Sequence, residues 1–214
     1  MRTTLLALAV LSCAAGFAQQ GPIPSASVQK AITVLKAEGL SEKDLAELRE
    51  TDSYTDAHNG IRHTWFKQQW QGIDIFNSEV VVHQRADGEI VAILHRTVDR
   101  VEQKARPRQP GIAPEEALRR VLAMDGMRIA VPALIEHTPE QHRWRFAGEA
   151  FGGESPFVEL VWMNLGDALW LAWNVNYYQP DGTHWWNVRI DANSGKEIER
   201  NDWYRKHAVL WAQE

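Results

Sequence analysis

The sequence predicts an α+β fold of two small domains, each with a helix packed on an antiparallel β-sheet. Three observations predict it. Helical periodicity is confined to short segments at the start of each half. Period-two stretches separated by turn residues fill most of the rest. A Pro-rich, charged stretch, EQKARPRQPGIAP, parts the two halves.

In the first half, SASVQKAITVLKAEGL spaces Val28, Ala31, Ile32 and Leu35 on one helical face and stops at Gly39. SEKDLAELRE offers Ser41 as an N-cap with Asp44 three residues on, which predicts a second, shorter helix. Turn chemistry at Asn59-Gly60, Gln71-Gly72 and Asp87-Gly88 then predicts four hairpin-linked strands near 49–55, 63–70, 73–84 and 89–98. Within QGIDIFNSEVVVHQ the apolar phase slips: Ile73 and Ile75 share one face, while Phe76, Val80 and Val82 share the other. A β-bulge near Asn77 that re-aims Phe76 toward the packed face accounts for the slip.

Past a boundary near residue 105, APEEALRRVLAMDG places Pro114 in a first turn, Glu115 and Glu116 at the positive helix end, and Ala117, Leu118, Val121 and Leu122 on one face. Strands follow in HRWRFAG, PFVELVWM, ALWLAWNVNYY, HWWNVRIDA and KEIERNDW. Leu169, Leu171, Trp173, Val175 and Tyr177 alternate strictly and mark one buried face. DANSG, with Gly195 free to take positive φ, closes a hairpin after Asp191.

The 214 residues carry a formal net charge of −5 with both signs interspersed, so no basic stripe exists to track phosphates, and nucleic acid is excluded as a partner. The opening MRTTLLALAVLSCAAGFAQQ reads as a secretory signal, residues 1–18, cleaved after Ala18. No later stretch is long and apolar enough to span a bilayer. The expected location is outside the cytosol, secreted or periplasmic. Cys13, the single cysteine, falls inside the signal, where VLSC is a poor lipoprotein site; the mature chain then has no thiol or disulfide.

Catalytic patterns are missing. None of the eight histidines is followed by Glu, so no His-Glu-x-x-His helix exists. His58 and His63 flank a turn that could pair them as metal ligands, but no third ligand stands nearby, and no metal site is assigned. There is no Gly-x-Ser-x-Gly elbow and no phosphate loop. Glu154, Glu159, Asp167 and Asp181 are carboxylates that spacing does not bring together as an acid/base pair. Of the ten tryptophans, Trp173 and Trp186 fit the core. Trp170 and Trp185 fall on opposite faces from these and are the candidate interface residues.

DSYTDAHNGIRHTWFKQQWQGIDIFNSEVVVHQRADGEIVAI closely resembles the fungalysin/thermolysin propeptide domain, through Tyr54, Gln69, Gly72, Ile75, Phe76, Asn77, Asp87 and Gly88. LAWNVNYYQPDGTHWWNVRIDANSGKEIERNDW is similar to the PepSY-related end of fungalysin-type pro-regions, through Trp186, Asp191 and Gly195. The resemblance implies a propeptide-like domain at 19–105 and a PepSY-like domain at 106–214. It further implies a non-catalytic inhibitor and intramolecular folding chaperone whose partner, in cis or in trans, is a secreted zinc metallopeptidase domain. That catalytic domain would follow Glu214, so zinc is expected in it and no cofactor in this chain. Two alternatives stay open: a free-standing PepSY-type inhibitor acting in trans, and a carbohydrate-binding module built on Trp170 and Trp185.

Overall fold

A computed structural model describes residues 26–106 and 109–204. The expected signal, its cleavage after Ala18 and Cys13 lie outside the described residues. The protein is α+β, with helices gathered on one side of a largely antiparallel sheet.

Helix α1, Ala26–Ala37, buries Val28, Ala31 and Leu35. Gly39, at φ +101°, ends it, and Leu40 N–H donates back to the Leu35 carbonyl at 3.2 Å. That closure satisfies carbonyls a helix end would leave open. Strands β1 (Leu48–Thr55), β2 (Arg62–Trp70), β3 (Ile73–Gln84) and β4 (Ile90–His95) form an antiparallel meander. Val28, Ala31 and Leu35 pack with Phe66, Val80 and Val82 between α1 and this meander. Each fully buried Val, Leu or Phe side chain among these contributes about 1.5–3 kcal/mol.

The helix expected after Ser41 does not form. Asp44 instead accepts hydrogen bonds from Ser41 N–H at 3.0 Å and Ser41 Oγ at 2.8 Å within a turn. The capping pair is made, but Asp44 has a second, tertiary obligation. Its other oxygen accepts Val101 N–H at 2.8 Å and opens α2, Val101–Lys104, a short helix where a linker was expected.

Helix α3, Pro114–Met124, buries Ala117, Leu118, Val121 and Leu122 as its periodicity predicts. Strands β5 (Leu134–Thr138), β6 (Arg143–Phe146), β7 (Phe157–Asn164), β8 (Leu169–Tyr178), β9 (Trp185–Asp191) and β10 (Glu197–Asp202) pair antiparallel in that order. Strand β5 lies at the edge and is mostly exposed, so it leaves no period-two apolar trace. On β8, Leu169, Leu171, Trp173, Val175 and Tyr177 are all buried. They pack with α3 and, from the first half, with Ile75, Val98, Val101 and Ala105.

The two halves meet where β3 lies parallel to β7 at Ile75 and Trp162. The fully buried Trp162 ring donates Nε1–H to the Trp70 carbonyl at 2.9 Å. A β-bulge makes this junction possible. Lys67 faces Glu79 but Gln69 faces Asp74, so Ile75 to Ser78 lie across from Gln68 alone, with Asn77 at φ +58°. The unmatched residues reverse the pleat. Ile75 and Val80, of opposite sequence parity, are thereby both buried on the side that carries the helices.

The expected destination of Phe76 is corrected. Phe76 does not join Val80 and Val82; it packs half-buried with Val161, Met163 and Ala172 on the opposite side, under the Arg189 guanidinium at 4.7 Å. The bulge turns Ile75 inward, and its immediate neighbour must then face outward.

The turn after Asp191 closes as expected. Asp191 Oδ1 accepts Asn193 N–H at 3.1 Å and Ser194 N–H at 2.6 Å, and Gly195 sits at φ +72°. A Cβ on Gly195 would meet the Arg120 side chain, which donates to the Ser194 carbonyl. Gly195→Ala is expected to cost about 1–2 kcal/mol from the left-handed backbone alone, read as a lowered urea midpoint with an unchanged slope.

Candidate partner-binding face

Successive residues of a strand face opposite ways, and paired residues on neighbouring strands face the same way. With Thr64, Phe66 and Gln68 buried toward α1, the other side of β2 presents His63, Trp65 and Lys67. Register then builds rows across the helix-free side. Tyr54, His63, His83 and Ala92 form one; Asp52, Trp65, Val81 and Leu94 form the next; Arg49, Lys67 and Glu79 form the third. Tyr54 is 52% and Leu94 61% exposed. Such an aromatic and aliphatic patch, with no helix over it, is the kind of surface that marks a partner.

Tyr54 stacks on both His63, at 5.0 Å between ring centres, and Trp65, at 5.4 Å. His63 and His83 bring their Nδ1 atoms within 2.6 Å of each other. The ring of His63 is thus paired with His83, while the His58 backbone N–H donates to Asp56 in the turn. Among the described residues no group of three or more His, Cys, Asp or Glu side chains is arranged to hold a metal.

The same side continues across the junction into a groove of about 450 Å³, lined from the first half by Lys67, Phe76 and Glu79 and from the second by Glu159, Asn174 and Trp185. Its charges are paired. Asp74 takes Arg49 at 2.6 Å with Lys67 at 3.6 Å, and Glu159 takes Arg143 at 2.8 Å and Asn174 Nδ2–H at 2.8 Å. Arg189 is fully buried against the Phe76 ring, with Glu199 at 3.3 Å; burial lowers its pKa and Glu199 opposes that. Glu154, Asp167 and Asp181 are exposed, whereas Glu159 is tied to Arg143 and Asn174. Asp181 serves its own turn by accepting Thr183 N–H and Oγ1–H.

Trp185 is 41% exposed at the groove's end and donates Nε1–H to Asn176. Trp170 is half-buried, across from Met163 at the other end of β8, whereas Trp185 pairs with Tyr178. The eight residues from Trp170 to Tyr178 place these rings about 27 Å apart at a strand rise of about 3.4 Å per residue. They do not form one stacking platform. Trp173 is buried with Nε1–H on the Ile112 carbonyl, and Trp186 lies half-buried on the main core between His184 and Arg200.

The remaining motif positions shape turns. Gln71 and Gly72 both take positive φ, and the Glu47 carboxylate accepts their N–H groups at 3.1 and 2.7 Å. Gln69 donates to the Gly72 carbonyl and to Asp74. Asp87 accepts Glu89 N–H beside Gly88 at φ +86°.

Behind the face lies a residue that pattern reading passed over in favour of Gln69. Gln68 is fully buried. Its Nε2 donates to the Asp44 and Val98 carbonyls at 2.8 Å each, and its Oε1 accepts Val98 N–H at 2.8 Å and Ser78 Oγ–H at 2.5 Å. The inward phase of Thr64 and Phe66 was the available signal for it. Asp44 completes this hub. Burial raises its pKa, but hydrogen bonds from Val101, Ser41 and Arg100 outweigh that, and the carboxyl stays below its ordinary 3.8. A folded value below the unfolded one gives stability that is whole above pH 3.8 and is lost as pH falls through the folded value. Asp44→Asn is expected to be less stable at pH 7 and to lose that part of the acid dependence, as read by urea unfolding from pH 7 to pH 2.

Residues 46–96, which hold β1 to β4, match the Fungalysin/Thermolysin Propeptide Motif. The chain is also homologous to fungal extracellular metalloproteinases. It is 29% identical over 157 residues to the extracellular metalloproteinase mep of Aspergillus fumigatus, covering 72% of this chain and 24% of the relative. It is 25% identical over 158 residues to the probable extracellular metalloproteinase 4 of Arthroderma benhamiae, again covering 72% and 24%. The chain thus spans about a quarter of the length of these relatives. Among solved structures, the Bacillus megaterium YpeB C-terminal domain aligns with a TM-score of 0.36 at 16% identity, over 82% of this chain and 63% of that one. No helix among the described residues is long and apolar enough to cross a membrane.

Proposed function

We propose that the chain is the pro-region of a secreted fungalysin-like zinc metallopeptidase, which it inhibits and helps to fold without catalysis of its own. The match of residues 46–96 to the propeptide motif carries this reading. The helix-free face is the contact surface in it, because Tyr54, Trp65, Val81 and Leu94 leave an apolar patch that a partner domain would dry. Binding energy from such a surface stabilises the folded peptidase by mass action and lowers the population of partly folded forms. Residues 19–105 form the propeptide-like unit and 106–214 the PepSY-like unit of this reading. Zinc belongs to the peptidase, and the location is outside the cytosol.

A chain that acts in trans as a free-standing inhibitor is the second reading, and one measurement separates the two. An antibody against residues 106–200, used on secreting cells with extracellular proteolysis blocked, is expected to detect a product several times larger than this chain. A product slightly smaller than it would replace the cis reading with the trans one. The carbohydrate-module reading has less support, since Trp170 and Trp185 stand at opposite ends of β8.

A further inference from the structure

We propose that His63 and His83 form a proton-operated latch on the helix-free face, closed while one ring is neutral at Nδ1 and opened when both rings are protonated. The two residues are direct partners in the β2–β3 register, and their Nδ1 atoms stand 2.6 Å apart. At that distance one Nδ1–H donates and the other Nδ1 accepts, which fixes the tautomers of the pair. A first proton adds to Nε2 of the donor ring and keeps the bond. A second must add to the accepting Nδ1; two donors then face each other, with two positive charges.

Among the described residues, Tyr54 and Trp65 stack on His63, but the carboxylate partner that two other histidines have is missing from this pair. His95 has Glu38 at 2.7 Å and His184 has Asp202 at 2.7 Å, but among the described residues no carboxylate is paired with His63 or His83. From β1 the facing group is Tyr54, stacked on His63; from β4 it is Ala92. Arg62, beside His63, donates to Ser53, and Arg85, two residues past His83, is bound to Glu89. His83 titrates below the ordinary 6.5, first because it is buried and then because His63 is beside it. With its folded value below the unfolded one, the His83 contribution is complete above about pH 6.5 and is lost as pH falls through the folded value.

Opening moves the rings on which Tyr54 stands, and Tyr54 in turn stacks on Trp65. Acidification therefore reshapes the docking row itself. Its consequence for a bound peptidase, a weaker grip below about pH 6, rests on the pro-region reading; the latch does not.

The test follows the histidine ring protons of the labelled chain by NMR from pH 8 to pH 4.5, with amide exchange of Thr64, Val82 and His83 corrected for intrinsic rates. The pair is expected to titrate in two steps about 1 unit or more apart, with exchange at these amides rising tenfold or more across the second step. In His83→Asn the second step and the jump in exchange are both expected to disappear. His63→Asn is the reciprocal variant should the first not fold. Independent titration of both rings near 6.5, or a split titration with unchanged exchange, overturns the latch. Inhibition of a fungalysin-type peptidase domain, compared at pH 7.5 and 5.5, is expected to weaken tenfold or more in the native chain and not in the variant. Absence of inhibition at every pH would remove the pro-region reading, while the NMR result still decides the latch.

Discussion

Gln68→Met is expected to lower the unfolding free energy by about 4 kcal/mol, the largest single loss in the first half. The substitution keeps the volume but removes four hydrogen bonds, to Asp44, Val98 twice and Ser78. Each buried backbone group left without a partner costs about 1–3 kcal/mol. Those groups belong to three segments: the turn before β1, the bulged stretch of β3 and the stretch before α2. The loss is thus cooperative. Urea unfolding followed by Trp fluorescence should show a lower midpoint, and amide exchange should rise at Val98 and Val101 together. A loss below about 1 kcal/mol would show that Gln68 fills space and organises nothing.

Trp162→Ala is expected to cost about 4 kcal/mol, in the range of buried Trp truncations. It deletes a fully buried ring where β3 and β7 pair in parallel across the halves, along with the bond from Nε1–H to the Trp70 carbonyl. The loss should fall on the junction. Ile75 and Trp70 lose their cover, so two unfolding transitions should replace one, the meander of β1 to β4 separating from the sheet of β5 to β10. A single transition shifted by less than 1 kcal/mol would contradict the assignment of Trp162 as the tie.

How far pattern reading reached depended on whether a segment is governed by its own neighbours. Helices α1 and α3 are amphipathic against one core each, and their buried faces are the ones their spacing predicts. Strand β8 alternates because one side meets α3. By contrast, α2 spans Val101–Lys104 and begins on a carboxylate from residue 44, so no local signal announces it. The helix after Ser41 failed for the same reason, since Asp44 serves α2 as well as Ser41.

Phe76 shows a subtler limit. The phase slip around it was visible, and so was the need for a bulge. Which of Ile75 and Phe76 turns inward depends on how many residues the bulge absorbs and on the Trp162 ring that receives Ile75, and both are set by tertiary contacts. The His63–His83 pair was hidden likewise. It depends on the β2–β3 register beyond the bulge, whereas short-range spacing pointed to His58 as the neighbour of His63. Tyr54 and Gly72 were read from the motif, while Gln68, next to the chosen Gln69, carries the buried network.

The most direct measurement titrates a separately produced fungalysin-type peptidase domain with the purified chain lacking residues 1–18, and repeats the titration with a Trp65→Ala, Leu94→Ser double variant of unchanged fold. The account predicts that peptidase activity falls to zero near one equivalent of the native chain, and that the double variant needs at least tenfold more. Full peptidase activity at hundredfold excess of the native chain would contradict it.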